Sequence, residues 1–515
     1  MNGAESLVRT LLASGVDTCF ANPGTSEMHF VVALDRVPGV RCVLGLFEGV
    51  VTGAADGYWR MADRPAATLL HLGPGLANGV ANLHNARKAS SGIVNVIGEH
   101  ATYHLQHDAP LTADIDGIAR PVSHWIGRAE TAKDVARLGA EAVAAAMTGA
   151  GQIASLVLPA DTAWNDADGV AQPVAPPPRE QADDAQILAA AAALKKAGAS
   201  GMLMLGGVAL RRRGLELAAR IQAATGCKLS NSGYSARMER GGGLPGVGRI
   251  PFVVDLALAY LKDVRELVLV GTRRPVAFFA YPGKPSLLLP DGCNVTPVLD
   301  VEGDLVDALE RLADAVGAPK NVPAVSAPAV PALPDGAPNP DRIAAAIAAL
   351  IPENAIVVDE SITSGRGIFA ASLGSAPHDW LNNMGGSIGY SLPVAIGCAI
   401  AAPDRKVLAL TGDGSAFYTL QALWTMAREK LDITVVVFAN RNYAILRNEL
   451  ANVGAANPGP RAIDMLTLDR PDPDWVALAN GHGVAAESVD DMAAFARALR
   501  NALAEPGPRL IELRL

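Results

Sequence analysis

Short aliphatic runs alternate with longer, alanine-rich segments along most of the chain. The runs VVALDR, ATLLHLG, VNVIG and ASLVLP mark the first third, and GMLMLGG and ELVLVGT flank the helix-like LELAARIQAA in the middle third. Strands buried on both faces of a parallel sheet show such continuous apolar runs, because helices cover both faces. The pattern therefore predicts an α/β fold made of doubly wound, open parallel sheets.

Two proline-rich stretches, at 166–184 and 316–341, interrupt this alternation. Both are poor in large apolar residues, and their prolines cannot continue a helix or a central strand. They leave three blocks, which predicts parallel-sheet domains at 1–165, 183–318 and 338–515. The length of 515 residues agrees with this division, because a single core rarely serves more than about 300 residues.

Composition and charge exclude several classes of function. Half of the residues are hydrophobic, 18% are charged and the net charge is -9, so a globular protein without a nucleic-acid-binding surface is expected. The five cysteines lack CxxC spacing, which argues against a disulfide framework or a zinc site and favours a reducing cytoplasm. We expect no export signal, and Pro393 with its neighbouring glycines makes 380–403 a buried loop and helix, not a membrane span.

The stretch KVLALTGDGSAF predicts a buried strand that ends in a glycine turn containing Asp413. The next predicted strand, DITVVVFAN, brings Asn440 to the same edge of the sheet, where open α/β proteins bind ligands. A carboxylate and an amide oxygen, with a backbone carbonyl near Asn442, suit a hard octahedral cation that also binds phosphate oxygens. The pattern predicts a magnesium-diphosphate site, although for GDG alone an ordinary turn is the alternative.

The spacing of this motif resembles the GDG…N motif of thiamine diphosphate enzymes. The order of the three blocks is similar to that of acetolactate synthases and benzoylformate decarboxylases. In NPGTSEMHF, LFEGVVTGAADGY, LLHLGPGLANG and PVAFFAYPGKPS the chain resembles acetolactate synthase large subunit-like proteins in particular. This resemblance implies pyrimidine-binding, central and pyrophosphate-binding domains, with thiamine diphosphate and Mg²⁺ as cofactors. It also implies a homodimer or homotetramer, because the family's glutamate and diphosphate site come from different subunits. FAD occurs in related synthases, but no motif here requires it.

The resemblance also assigns residues to the cofactor. It makes the side chains of Asp413 and Asn440 and the carbonyl of Asn442 magnesium ligands. Ile388 would push the cofactor into its bent shape and Gly386 would hold the 4'-amino group, although a core role for Ile388 stays open. The other cofactor-binding positions are Gly412, Gly414, Ser415, Ser361 and Thr363, with Glu360 beside the last two. For 360–363 an ordinary loop is the alternative.

Glu48 and His71 are the predicted catalytic residues. Glu48 lies at a strand-to-helix junction before GAADGY and matches the family's glutamate, whose carboxylate activates the cofactor's pyrimidine ring. An acidic residue at a helix start is the alternative. His71 ends a strand before a predicted glycine turn, and imidazole titrates near neutral pH, so it could donate a proton or orient a substrate carboxylate. A strand-end histidine without a catalytic role is the alternative.

Four residues are candidates for contacting substrate: Thr25, Ser26, His107 and Phe278. Thr25, with Ser26 beside it, matches a decarboxylase serine, although a helix cap before EMHF is the rival interpretation. His107 and the nearby His104 lie where related enzymes place active-site loops. Their spacing would also suit metal ligands, but no third ligand accompanies them.

The aromatic residues of PVAFFAYPGK, namely Phe278, Phe279 and Tyr281, could line an apolar acyl pocket or serve as interface or core. They occupy the region of the second histidine of benzoylformate decarboxylase, and DAPLT (108–112) stands where synthases carry DAFQE. We therefore expect an enzyme that forms or breaks a carbon-carbon bond of a 2-oxo acid, acetolactate synthase-like or a decarboxylase. A non-catalytic member that binds the cofactor or a partner chain is the remaining alternative.

Overall fold

Three sheets covered by helices organise the chain, as the sequence predicts. The computed structural model describes residues 1–321, 325, 328–455 and 457–515. Part of the second predicted linker, 322–324 and 326–327, therefore lies outside the described residues. Within the described part, none of the helices has the length and apolar character needed to cross a membrane.

The first sheet has six strands, all parallel. They are β1 (Thr18–Asn22), β2 (Arg41–Leu44), β3 (Ala66–Leu70), β4 (Ile93–Glu99), β5 (Trp125–Arg128) and β6 (Ile153–Pro159). The helices are α1 (Gly3–Ala13), α2 (Met28–Arg36), α3 (Glu48–Ala62), α4 (Leu72–Lys88), α5 (Ile115–Ala119), α6 (Val135–Ala146) and α7 (Ala160–Trp164). The strand order is β2-β1-β3-β4-β6-β5. The inner strands β3, β4 and β6 are buried throughout, which explains their unbroken apolar runs.

The second sheet has five parallel strands. The strands of this region are β7 (Gly201–Leu205), β8 (Lys228–Asn231), β9 (Met238–Arg240), β10 (Gly248–Arg249), β11 (Glu266–Val270) and β12 (Asn294–Leu299). Its helices are α8 (Asp184–Ala197), α9 (Arg212–Thr225), α10 (Val254–Leu261) and α11 (Leu305–Val316). The order is β10-β8-β7-β11-β12. Strand β9 is not part of this sheet and joins the third one.

The third sheet has seven strands. Those that follow the second sheet are β13 (Ile356–Glu360), β14 (His378–Asn382), β15 (Val407–Gly412), β16 (Ile433–Ala439), β17 (Ala485–Val489) and β18 (Arg509–Arg514). Its helices are α12 (Pro340–Leu350), α13 (Ile368–Ala371), α14 (Ser391–Ala401), α15 (Asp413–Ala416), α16 (Ala422–Arg428), α17 (Ala444–Asn452), α18 (Pro460–Asp464), α19 (Trp475–Gly481) and α20 (Met492–Ala504). The order is β17-β18-β16-β15-β13-β14-β9, and only the pair β14-β9 is antiparallel. The bounds 1–165, 183–318 and 338–515 remain our proposed division into domains.

Two segments differ from the sequence prediction. VVALDR belongs to helix α2 and is not a strand; Phe30 and Ala33, three residues apart, bury one side of that helix. The stretch after His71 is not a glycine turn, because α4 begins at Leu72 and runs through Gly73 and Pro74. Proline is tolerated there because the first-turn N–H groups of a helix have no intrahelical partner.

Helices α3 and α14 cross in close contact and join the first sheet to the third. Small residues allow this approach: a Cβ at Gly397 would lie 1.9 Å from the carbonyl oxygen of Ala54, and one at Gly57 would lie 2.1 Å from that of Val394. Because α3 begins at Glu48 and α14 follows the segment 385–389, this packing fixes these two segments of the chain relative to each other.

Arg60 of α3 connects regions that are far apart in sequence. Its Nη1 donates to the carbonyls of Ala236 and Asn382 and to the Tyr390 hydroxyl, at 3.2, 2.8 and 2.9 Å. Its Nε and Nη2 donate to the two carboxylate oxygens of Asp56 at 2.8 and 2.7 Å. Both charged side chains are almost fully buried, so each depends on the other for compensation.

Replacing Arg60 by methionine should lower the free energy of unfolding by about 3–5 kcal/mol, because Asp56 would stay buried without its cation. We expect a clear fall in the thermal unfolding midpoint, measured by scanning calorimetry. Arg137→Met is the control, since Arg137 pairs with Glu141 on an exposed surface and its loss should change the free energy of unfolding far less. Equal shifts in the two variants would contradict the proposed role of Arg60.

Candidate active site

The predicted metal ligands meet at one edge of the third sheet. Strands β15 and β16 are neighbours in parallel register, with Gly412 opposite Phe438, so the residues that follow them lie together. Asp413 accepts hydrogen bonds from the backbone N–H of Gly414 at 2.8 Å and of Arg441 at 2.6 Å. The Asn440 side-chain oxygen accepts one from the N–H of Asn442 at 3.0 Å. The turn 440–442 therefore contacts Asp413 directly.

The donor set fits a hard divalent cation. Asp413 is only 2% exposed, and burial raises the pKa of its carboxyl to about 6 although backbone N–H groups oppose this. Among the described residues, no Lys or Arg side chain lies within ion-pair distance of the Asp413 carboxylate. Its buried negative charge is therefore not neutralised by a direct partner. A Mg²⁺ ion would neutralise that charge and could take neutral oxygens from Asn440 and Asn442.

The GDG sequence does not form the predicted turn, because Gly412 ends β15 and Asp413 begins the short helix α15. This strand-to-helix junction leaves room for a phosphate beside the set of oxygens. A Cβ at Gly412 would meet no heavy atom within 4 Å, so the backbone there faces open space. At Gly414 a Cβ would lie 2.5 Å from the ring of Tyr443, and Ser415 is buried beside it. Gly412 is thus the position at which the backbone can approach a ligand most closely.

Glu48 is the first residue of α3 and is only 6% exposed. The Asn78 side chain donates to its Oε2 at 3.0 Å. Helix α4 passes so close that a Cβ at Gly75 would lie 3.0 Å from Oε1. The carboxylate is therefore held in a defined orientation with little solvent around it, as a group that shares a proton with a bound ring nitrogen would require.

The segment 385–389 is contacted from three sides. The Gly389 carbonyl accepts from the Asn82 amide at 3.3 Å and from the Thr419 hydroxyl at 3.0 Å. Gly386 has φ +78°, and a Cβ there would lie 2.8 Å from the Phe278 ring. Ile388 is half-buried within the same segment. Residues from all three sheet regions thus converge where the cofactor's pyrimidine ring is expected.

Glu360 binds the end of this segment through hydrogen bonds. It is buried, and its carboxylate accepts from the backbone N–H groups of Gly389, Tyr390 and Ser391 at 3.0–3.1 Å. Burial raises the pKa of Glu360, against the effect of these hydrogen bonds. Its carboxylate therefore accepts hydrogen bonds from the free backbone N–H groups at the start of α14. The neighbouring Ser361 hydroxyl donates to Asp359 at 2.6 Å, and Thr363 is half-buried.

His71 has a partner that the sequence prediction missed. Its Nδ1 lies 2.9 Å from Oε2 of Glu27, and the same oxygen accepts from the Gly24 N–H at 2.7 Å. Strands β1 and β3 are neighbours in the sheet, so the loop after β1 reaches the end of β3. An acidic residue in that loop is the signal that could have identified Glu27.

The environment of Glu27 holds the imidazole in place. Burial raises the pKa of Glu27, while His71 and the Gly24 N–H oppose this rise. Within the described part of the chain, Oε1 of Glu27 has no hydrogen-bond partner. The ionised carboxylate would fix His71 with a proton on Nδ1, which leaves Nε2 for exchange with a ligand.

Glu27→Gln should lower kcat by about 10- to 100-fold with a smaller change in KM, because the imidazole loses the carboxylate that orients it. Since the folded-state pKa of Glu27 is raised, wild-type activity should fall with decreasing pH above the ordinary glutamate range, as the carboxylate gains its proton. The glutamine variant should lose this acidic limb. In a double-mutant cycle with His71→Asn, additive losses would contradict the pair.

Thr25, Ser26 and His107, the other predicted substrate residues of the first sheet region, make fewer defining contacts than His71. Thr25 is exposed in a single 3₁₀ turn, and neither it nor Ser26 makes a cap hydrogen bond there, so the rival cap interpretation is not confirmed. His107 is exposed. It continues a row of rings with His104 and His100, with centroids 5.6 and 5.4 Å apart. Among the described residues, no group of three or more His, Cys, Asp and Glu side chains is arranged to hold a metal ion, so these histidines do not form one.

Phe278 connects the segment 385–389 to an aromatic cluster. Its ring lies 4.9, 5.4 and 6.1 Å from the rings of Phe279, Phe252 and Tyr234. Phe278 is still 46% exposed, so the cluster presents an accessible apolar face. The proximity to Gly386 supports its assignment as a candidate for contacting a substrate's acyl group.

The chain matches two descriptions of one family. "Thiamine pyrophosphate enzyme, N-terminal TPP binding domain" matches residues 1–119, and "Thiamine pyrophosphate enzyme, C-terminal TPP binding domain" matches residues 367–513. The first range contains Glu48 and His71, and the second contains Asp413 and Asn440.

Individual relatives match over their whole length. The chain is 51% identical to "Putative acetolactate synthase large subunit IlvX" of Mycobacterium tuberculosis, over 100% of this chain and 99% of that protein. It is 29% identical to benzoylformate decarboxylase of Pseudomonas aeruginosa, over 97% and 96%. A solved structure of 4-hydroxybenzoylformate decarboxylase from Rhodococcus jostii RHA1 superposes with a TM-score of 0.84 at 24% identity, covering 100% and 99%. That last likeness concerns the fold.

Proposed function

Because the chain belongs to the thiamine pyrophosphate enzyme family, we propose that it uses thiamine diphosphate and Mg²⁺ to decarboxylate a 2-oxo acid. In the proposed reaction, which is acetolactate synthase-like, the bond between C1 and C2 breaks and CO2 leaves. The remaining acyl carbon then bonds to the carbonyl carbon of a second 2-oxo acid, whose carbonyl oxygen takes up a proton and becomes a hydroxyl. The observation that carries the proposal is that the chain carries both halves of such a site, which the resemblance assigns to two subunits: the oxygens around Asp413, and a buried, oriented Glu48 at the start of α3.

The residues divide the work as follows. Asp413, Asn440 and the Asn442 carbonyl would hold Mg²⁺ and the diphosphate, while Gly386 and Ile388 would hold the ring system. When bound, the cofactor supplies an electron sink for the electron pair that stays on the acyl carbon when CO2 leaves. Glu48 would hold a proton at the pyrimidine nitrogen, and burial of its carboxylate keeps water from competing for that proton.

A decarboxylase that gives an aldehyde is the second candidate, and the Glu27–His71 pair favours it. In that reaction a proton, not a second 2-oxo acid, takes the electron pair on the acyl carbon. His71 is 23% exposed at its side chain while Glu27 is buried, so the imidazole has one side toward solvent and one fixed by a carboxylate. Such a group is suited to deliver a proton repeatedly.

Product analysis separates the two candidates. The purified protein is incubated with thiamine diphosphate, Mg²⁺ and pyruvate or phenylglyoxylate, and the products are identified by proton NMR. A 2-hydroxy-2-alkyl-3-oxo acid such as acetolactate supports carboligation, and an aldehyde supports the decarboxylase. Cofactor binding with no turnover of any 2-oxo acid would contradict both and favour a non-catalytic family member.

We also propose that the protein works as a homodimer or homotetramer in the cytoplasm. The family membership supports the oligomer, and light scattering of the purified protein tests it.

A further inference from the structure

Two arginines lie against one aromatic ring beyond the candidate active site. Arg240, at the end of β9, is only 3% exposed, and Arg249 of β10 is half-buried. Their guanidinium carbons lie 3.5 and 5.0 Å from the ring centroid of Phe369. Arg249 also lies 5.4 Å from the ring of Tyr234. Aromatic faces favour guanidinium groups, but they do not neutralise two positive charges.

These cations lack counter-ions. In the described part of the chain, no Asp or Glu oxygen comes within ion-pair distance of either arginine, and the Nε and Nη1 atoms of Arg240 are buried without an acceptor. Its Nη2 donates to the Phe369 carbonyl at 2.5 Å. Burial and the neighbouring Arg249 lower the pKa of Arg240 to about 9. Burying like charges without compensation is costly, so binding of an anion would stabilise this pair.

The acidic residue that influences Arg240 binds other groups. Asp359 raises the pKa of Arg240, but its Oδ1 accepts from the Ser361 N–H at 3.0 Å and from the Ser361 hydroxyl at 2.6 Å. Arg366 adds another positive charge close enough to affect the pKa of Tyr234. The cluster around Tyr234 thus carries more positive than negative charge.

The aromatic cluster joins these arginines to the segment that would hold the cofactor. Phe278 touches Gly386 on one side and lies 6.1 Å, ring to ring, from Tyr234 on the other. Arg249 then stacks on Tyr234. A substrate whose acyl group extends along the exposed face of Phe278 would point its far end at a cationic site.

We propose that Arg249, supported by Arg240, binds an anionic oxygen group, a carboxylate or phosphoryl group, carried at the far end of the 2-oxo acid substrate. Guanidinium groups match such anions through paired, charge-assisted hydrogen bonds. This inference rests on the proposed function and adds a substrate class to it: 2-oxo acids with a second negative group. A free anion of the same chemistry is the other source that could occupy the site.

Matched pairs of substrates test whether the anionic group at this site belongs to the substrate. In the loaded enzyme, kcat/KM is compared for 2-oxoglutarate against 2-oxopentanoate, and for 4-carboxyphenylglyoxylate against phenylglyoxylate. The wild type should prefer the member with the second carboxylate in at least one pair by roughly ten-fold or more. Arg249→Gln should remove that preference through KM and leave the uncharged member unchanged. Arg212→Gln, an exposed arginine next to Glu239, is the control and should keep it.

Calorimetric titration of the full chain with succinate and with inorganic phosphate tests whether a free anion occupies the site. This experiment does not require turnover. Binding to wild type that is lost in Arg249→Gln, without a preference for dianionic substrates, assigns the site to a free anion. Equal binding in the two proteins, or no binding together with no substrate preference, overturns the proposal. A wild type that binds these anions through Arg249 but turns over no 2-oxo acid would instead contradict the proposed function alone.

Discussion

The Glu48→Gln variant should bind thiamine diphosphate and Mg²⁺ with nearly wild-type affinity and lose at least ~100-fold of its turnover. Glutamine keeps the size of the side chain and can still accept from Asn78 at Oε2's position, so the start of α3 should stay in place. It cannot hold a proton for the pyrimidine ring. The effect should therefore fall on kcat, measured in steady state, and not on cofactor affinity, measured by calorimetry.

The control for this substitution is Glu5→Gln. Glu5 is also an acidic residue in the first turn of a helix, α1, but its carboxylate pairs with Arg36 on the outer surface. If an acidic helix start were the whole role of Glu48, the two variants would behave alike. Wild-type turnover in Glu48→Gln would contradict its assignment as the cofactor-activating group.

The Asp413→Asn variant should lose Mg²⁺-dependent cofactor binding by about 100-fold or more, because it removes the only negative charge from the oxygens that would hold the cation. Cofactor affinity is measured by calorimetry with and without EDTA. The wild type should bind only when Mg²⁺ is present, and circular dichroism should show the variant folded. Asp472→Asn is the matched control, since Asp472 bonds the side chain of Arg441 in the adjacent turn and should leave binding unchanged.

The same carboxylate predicts a pH dependence. Because burial raises the pKa of Asp413 to about 6, protons compete with Mg²⁺ for it as the pH falls through that value. Mg²⁺ affinity in the wild type should therefore weaken between pH 7.5 and pH 5.5, whereas an ordinary exposed aspartate would remain ionised over this range. A pH-independent affinity would contradict the location of the metal.

Much of the site could be predicted because parallel strands end at one edge of a sheet. The apolar runs of β15 and β16 placed Asp413 and Asn440 there, and the strand-to-helix junction placed Glu48. VVALDR was misassigned because a short apolar run has no periodicity that distinguishes a strand from a helix. The segment is helical because Phe30 and Ala33 of α2 pack on one side of the helix.

Residues that act through distant partners could not be predicted. Glu27 reaches His71 because β1 and β3 are adjacent. The acidic residue in the loop after β1 is visible in the sequence, but the adjacency of the two strands is not. The sequence predicts Glu360 beside the cofactor-binding positions Ser361 and Thr363, but it gives no sign that the Glu360 carboxylate accepts from backbone N–H groups at the start of α14. The unpaired charges of Arg240 and Arg249 depend on which side chains are absent around them, and only tertiary structure shows this.

The assignment of thiamine diphosphate chemistry to this site is tested by the exchange of the thiazolium C2 proton of bound thiamine diphosphate with deuterium, followed by proton NMR after rapid quenching. This measurement requires no knowledge of the substrate. We expect the wild type with Mg²⁺ to accelerate the exchange by about 100-fold or more over free cofactor, and Glu48→Gln to abolish the acceleration. Exchange at the rate of free cofactor in the wild type, with the cofactor bound, would contradict the assignment of this site to thiamine diphosphate chemistry.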